Sequence, residues 1–139
     1  MLLLSIHPRY VDLILSGEKT VELRRRQPRI KTGQGLIYAT APRMQLSATF
    51  QISRVQVGPL ELLWQLVRDR AGVSRAKFDS YFQGLTVGVG IEIGRVQEFG
   101  PYSLAELRSA WDGFHPPQGF RYVDSSDVAR LKARRRKSA

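Results

Sequence analysis

The chain has 139 residues, 42% hydrophobic and 24% charged, the composition of one globular domain long enough to bury a sizeable core. It contains no cysteine, so disulfide frameworks, zinc ribbons and thiol nucleophiles are excluded. Lys and Arg number 22 against 12 Asp and Glu, a net charge of +10, which calls for a polyanionic partner.

That charge is concentrated. Arg24, Arg25, Arg26, Arg29 and Lys31 form one basic run, and Arg130, Lys132, Arg134, Arg135, Arg136 and Lys137 form another. Without these eleven residues the rest of the chain has a net charge of −1. His7 and His115 show no metal-ligand spacing, and no metal or other cofactor is expected. The opening MLLLSI stops at His7 and has no basic segment before it, so it reads as a strand rather than a signal peptide. No apolar run approaches the roughly 20 residues a membrane span needs, and a cytoplasmic protein without membrane contact is expected.

In chain order, residues 2–6 read as a short buried strand. Pro8 then opens a helix whose Val11, Ile14 and Leu15 make an apolar face, and Gly17 stops it. Residues 20–24 alternate strictly, with Val21 and Leu23 on one face and Thr20, Glu22 and Arg24 on the other. A basic loop with Pro28 and Gly33 leads to a strand at 36–39. In the strand at 46–57 the apolar residues run Leu46, Ala48, Phe50, Ile52 and then change parity to Val55 and Val57. Val87, Val89, Ile91 and Ile93 likewise change parity after Gly94, at Val96. Such flips mark β-bulges, and two bulged strands predict a closed, strongly curved sheet.

Between the long strands, Pro59 opens a helix with Leu60, Leu63, Trp64 and Val67 on one face, and Ser74 caps a second with Phe78, Tyr81 and Phe82. Ser103 and Glu106 have the spacing of a capping box before Leu104, Leu107 and Trp111. A Pro116-Pro117-Gln118 turn feeds a last strand at 120–123. Residues 125–139 read as a basic helix or tail with only Val128 and Leu131 as anchors, frayed or disordered beyond Ala133.

The densest polar group is Gly17-Glu18-Lys19-Thr20-Val21-Glu22-Leu23-Arg24. Glu22 and Arg24 share a strand face about 7 Å apart, with Lys19 at the strand's start. A carboxylate, a guanidinium and an ammonium so placed can bind a planar polar ligand, or they can form an ion-pair ladder with no ligand. Gly17, Lys19, Glu22 and Arg24 reproduce G-x-K-x-x-E-x-R, and on this motif the chain resembles the ASCH domain family of the PUA-like superfamily over residues 2–123. The resemblance implies an α+β fold, a small bulged β-barrel of five or six mostly antiparallel strands surrounded by short helices, occupying residues 1–124. It also implies a cleft that binds RNA or another nucleic acid, or a nucleotide-like molecule, with a regulatory role in transcription or translation.

Lys19, Thr20, Glu22 and Arg24 are the expected cleft residues. Arg25, Arg26, Arg29 and Lys31 are the expected phosphate contacts, since guanidinium forks suit phosphate oxygens. Tyr38, Phe120 and Tyr122 are stacking candidates. Two enzymatic alternatives remain open. Ribonuclease activity occurs among similar proteins, and metal-assisted cleavage wants clustered carboxylates, for which Glu18, Glu22 and Glu92 are the candidates. One branch resembles an amidohydrolase of N4-acetylcytidine, with a catalytic Lys matching Lys19. Its Thr position is Glu22 here, and its Glu has no counterpart near Ala71-Gly72-Val73-Ser74. A carboxylate beside Lys19 is expected to hold its proton on, against service as a base or nucleophile.

Overall fold

The alternating segments become six strands in the computed structural model, which describes residues 1–138. The strands are β1 (Leu2–Ile6), β2 (Val21–Arg24), β3 (Gly33–Ala39), β4 (Gln45–Pro59), β5 (Val87–Ser103) and β6 (Phe120–Tyr122). Helix α1 (Pro8–Ser16) follows β1, α2 (Leu60–Val67) and α3 (Arg75–Tyr81) lie between β4 and β5, and α4 (Leu104–Ala110) and α5 (Ser125–Ser138) flank β6. The sheet runs β2-β5-β4-β3-β1-β6, and only the β1–β3 pair is parallel. The fold is α+β, a PUA-like half-barrel.

The parity flips are bulges. Ile52 pairs with Ile93 and Arg54 with Glu92, which leaves Ser53 as an extra residue on β4; the next shift, between Phe50 and Ile52, adds a residue to β5 beside Gly94. Gly94 has a packing reason there, because a Cβ would stand 2.7 Å from Ser53 Oγ. The bulges curve the sheet without closing it. The expected closed barrel is an open half-barrel, because the ladder order ends at β2 on one side and β6 on the other. The short β2 and β6 edges leave a seam.

Three apolar clusters hold the sheet. Leu2, Leu4, Ile6, Ile37, Phe50, Ile52, Val89 and Ile91 fill the face covered by Val11 and Ile14 of α1. The opposite faces of β1, β3 and β4 present Leu3, Leu36, Tyr38 and Leu46 to α4 and α5. Val21 and Leu23 of β2 pack against Leu63, Val67, Phe78 and Phe82 from α2 and α3. Gly88 and Gly90 make that third contact possible: a Cβ on Gly88 would lie 2.8 Å from the Phe82 ring.

The capping signals hold. His7 caps α1 by accepting the Arg9 N–H at Nδ1, Gly17 ends it at φ 85°, and Ser103 and Glu106 form both bonds of the capping box. Leu15 is 37% exposed and outside the core, so the buried face of α1 is narrower than its pattern. Helix α5 runs through Ser138. Val128 and Leu131 are buried, and Arg135 reaches back to Glu106 and the Pro101 carbonyl. Ala139, the last residue of the expected tail, lies outside the described residues.

Candidate functional site

On β2, the alternation that buries Val21 and Leu23 under α2 and α3 turns Glu22 and Arg24 toward the inside of the half-barrel, opposite Ile91 and Val89 of β5. Because β2 is an edge strand, that polar face lies at the seam. Arg24 spans it: Nη1 donates to the Gly119 carbonyl and Nη2 to the Ser5 carbonyl, each at 2.9 Å. One guanidinium thus joins β2 to the β1–β6 side where no backbone ladder does.

The same guanidinium meets Glu22 Oε2 at 2.6 Å, and Lys19 Nζ lies 3.3 Å from Glu22 Oε1. Lys19 also donates to the Ala71 carbonyl and stands 5.2 Å from the centre of the Tyr10 ring. All three charged residues are buried, with Lys19 2% exposed and Glu22 and Arg24 8% each. Two cations around one carboxylate leave a local excess of one positive charge. Burial pulls the Lys19 ammonium below its usual pKa, and Glu22 only partly restores it. The expectation that the carboxylate would dominate is therefore corrected: desolvation of a nearly inaccessible ammonium is the larger effect.

Above this group opens a cleft of about 450 Å³. His7 and Tyr10 at the start of α1 and Lys77, Phe78 and Tyr81 of α3 line it. Ser5 and Gln118 lie at the seam. Ser5 Oγ and Arg24 Nε are buried and have no hydrogen-bond partner within the protein. Glu22 is the only acidic residue lining the cleft among the described residues, and Lys77 adds a second positive charge to the local excess.

The other expected site residues do not converge on the cleft. Thr20 is held by its backbone, donating to the Arg70 carbonyl and accepting from the Ile93 N–H. Arg25 donates to the Tyr81 and Gln83 carbonyls, tying the end of β2 to the C-terminus of α3. Arg29 stacks 4.3 Å over Tyr122, whose hydroxyl accepts the Arg29 N–H at 2.7 Å, and Arg26 lies over Phe120. This loop therefore straps β2 to β6 across the seam. Its arginines are partly occupied by the fold, while Lys31 is exposed.

Tyr38 is 2% exposed in the cluster under α4 and α5 and is no stacking residue. Its strand alternates, and the sequence alone does not say which face is the cleft face. Tyr10, Lys77, Tyr81 and Gln118 line the cleft without having been singled out. Tyr81 fell on the apolar face assigned to its helix, yet it is 40% exposed.

Glu92 is held outside the cleft by Arg70 at 2.7 Å and Gln56 at 2.9 Å, with Arg54 at 3.7 Å. Burial works against its charge, but these partners outweigh that and hold its carboxyl below the usual range. It does not join Glu18 and Glu22 in a metal cage, and no group of three or more His, Cys, Asp or Glu side chains suited to a metal occurs among the described residues. Glu92 instead holds Arg70, whose carbonyl receives the Thr20 and Val21 N–H groups, and so supports the start of β2. No helix among the described residues is long and apolar enough to cross a membrane.

Known proteins share this fold. A protein described as an ASCH domain-containing ribonuclease, from Zymomonas mobilis, is 27% identical over 129 residues, covering 92% of this chain and 87% of that protein. The crystal structure of ASCH from Zymomonas mobilis superposes with a TM-score of 0.89 at 26% identity, covering 95% of this chain and 93% of that one. The N-terminal domain of Staphylothermus marinus McrB shares the fold alone, with a TM-score of 0.59 at 11% identity over 96% of this chain and 93% of that one. The ASCH domain model matches residues 4–116, which run from within β1 past α4 and include the whole Lys19–Glu22–Arg24 group, and the chain belongs to the ASCH domain family.

Proposed function

We propose that this protein binds single-stranded RNA, with one nucleotide seated in the seam cleft. The observation that carries the reading is the buried Lys19–Glu22–Arg24 group beneath a cleft of about 450 Å³ that Tyr10 and Tyr81 also line. A net positive floor favours a phosphate or the polar edge of a base, and aromatic side chains favour a planar ring. The partly occupied loop arginines and Lys31 add long-range attraction at the rim.

The test is a titration of fluorescent oligo(U) against the wild type, Lys77→Ala and Tyr81→Ala. Both side chains are exposed, so the variants leave the core intact. Loss of a stacking residue is expected to weaken binding by about 1–3 kcal/mol, roughly a 5- to 150-fold effect. Unchanged affinity in both variants would remove the cleft from RNA binding.

A second reading, that the cleft also cleaves RNA, is favoured by the Zymomonas mobilis relative, which is described as a ribonuclease. The same titration samples, followed for strand length, test this reading: cleavage that vanishes in Lys19→Met supports it, and intact RNA throughout rejects it. The amidohydrolase alternative draws no support from the cleft, where no acidic residue of the 68–81 segment lines the wall.

A further inference from the structure

Helix α5 lies beyond the region matched by the family model, and the seam cleft does not use it. Its one acidic residue is Asp127, near its start, and six cations follow within Arg130–Lys137. A solubilising tail of this composition needs no fixed position, yet α5 is fastened along its length. Trp111 Nε1 donates to the Asp127 carbonyl at 2.8 Å, and Val128 and Leu131 are buried under α4. Near the far end, Arg135 pairs with Glu106 at 2.8 Å, donates to the Pro101 carbonyl at 2.7 Å and stacks 3.8 Å over Tyr102.

The inward residues Val128, Leu131 and Arg135 follow a spacing of three and four, which fixes the opposite side of the helix. Arg130, Arg134 and Lys137 repeat that spacing on the outer side, where all three are exposed, and exposed Arg136 flanks them. Asp127 pairs with Arg130 near the first turn, so the positive charge rises toward the last turns. Beside them lies a hollow of about 240 Å³ between α4 and α5, lined by Ser109, Arg134, Arg135 and the carboxylate of Glu106. Cations in the last turn also suit the helix dipole, but that effect falls off within one turn and does not account for a stripe starting at Arg130.

We infer that helix α5 is a second RNA-contact surface, on which Arg130, Arg134 and Lys137 bind backbone phosphates of a strand whose other segment occupies the seam cleft. The inference rests on the RNA-binding reading of that cleft. A rigid row of guanidinium and ammonium groups binds phosphates without reading sequence, and holding it on a pinned helix lowers the ordering cost that a loose tail would meet. Two tethered contacts on one strand also raise affinity through effective concentration, so longer RNA gains more than its base content alone implies.

The test compares the full chain with the triple variant Arg130→Gln, Arg134→Gln, Lys137→Gln, which leaves Arg135 and the buried anchors in place. Binding is measured from 50 to 300 mM salt with a uridine trinucleotide and with an oligo(U) of about 20 nucleotides. The triple variant is expected to bind the long RNA about tenfold more weakly at 100 mM salt, with its salt slope reduced by about 2, since each lost contact to single strands removes about 0.7. Its affinity for the trinucleotide is expected to match the wild type. An unchanged slope on long RNA overturns the inference while leaving the cleft reading intact. A wild type that binds long RNA through α5 but shows no binding to the trinucleotide, and no loss in Tyr81→Ala, overturns the cleft reading, and with it the two-site arrangement. Equal losses on both probes attribute the effect to overall charge and also overturn the inference, as does a wild type that binds anionic lipid vesicles more tightly than RNA.

Discussion

Glu22 is the hinge of the site, because it alone stands between two buried cations. Its signature position suggests a ligand-reading carboxylate, but its bonds to Lys19 and Arg24 make it a structural charge as well. Removing one partner from a buried ionic group leaves the others uncompensated, so Glu22→Ala is expected to lose about 3 kcal/mol of stability, read as a lower urea midpoint. An unchanged midpoint would show that the group is not a buried unit. It follows that a binding defect in Glu22→Ala must be read only after its folding has been checked. Lys19 gives a pH-dependent counterpart. Its pKa is lowered in the folded protein, so below the usual ammonium value of about 10.4 the unfolded chain holds more protons. Stability from this group therefore rises with pH on approach to that value. Urea midpoints taken between about pH 8 and 9.5 should rise in the wild type and rise less in Lys19→Met. Equal slopes would mean that Lys19 keeps its ordinary affinity for protons.

At the scale of elements, the strands were legible where alternation meets a solvent-facing or bulged surface. The parity changes after Ile52 and around Gly94 located the two bulges beside Ile52, because a side-chain period of two flips when one residue is inserted; the register shifts between Leu46 and Ala48 and between Ile37 and Tyr38 leave no such flip in the apolar pattern. The capping box at Ser103 and the stop at Gly17 were legible for the same local reason. What alternation does not carry is which strand lies beside which. Tyr38 could be placed on a strand but not on a side of the sheet, and it belongs to the core under α5. The loop after Arg24 reads as a set of phosphate contacts, and nothing local announces that Phe120 and Tyr122 lie beneath it, about ninety residues later. The β3–β4 pairing offers a test of packing at this scale. Gly35 faces Phe50 across the ladder, and a Cβ there would stand 2.2 Å from the ring. Gly35→Ala is expected to cost about 1–3 kcal/mol through forced displacement of a buried ring. Thermal unfolding measures this, and a neutral substitution would mean that the β3–β4 register differs from the one described.

For the whole molecule, the open seam is the organising feature. A sheet that closed through backbone hydrogen bonds would have no polar edge inside it, and the signature residues would have nothing to span. Leaving β2 and β6 unpaired creates a gap that Arg24 bridges and a cleft that α1 and α3 wall. The loop arginines strap the same gap from outside, so the net charge of +10 is divided among a structural strap, a buried floor and the outer side of α5. Backbone amide chemical shifts during titration with a uridine trinucleotide test the proposal that the seam cleft receives RNA. The shifts are expected to concentrate at residues 5–10, 19–24, 77–81 and 118. Shifts confined to β3, β4 or α5, with the seam silent, would contradict it.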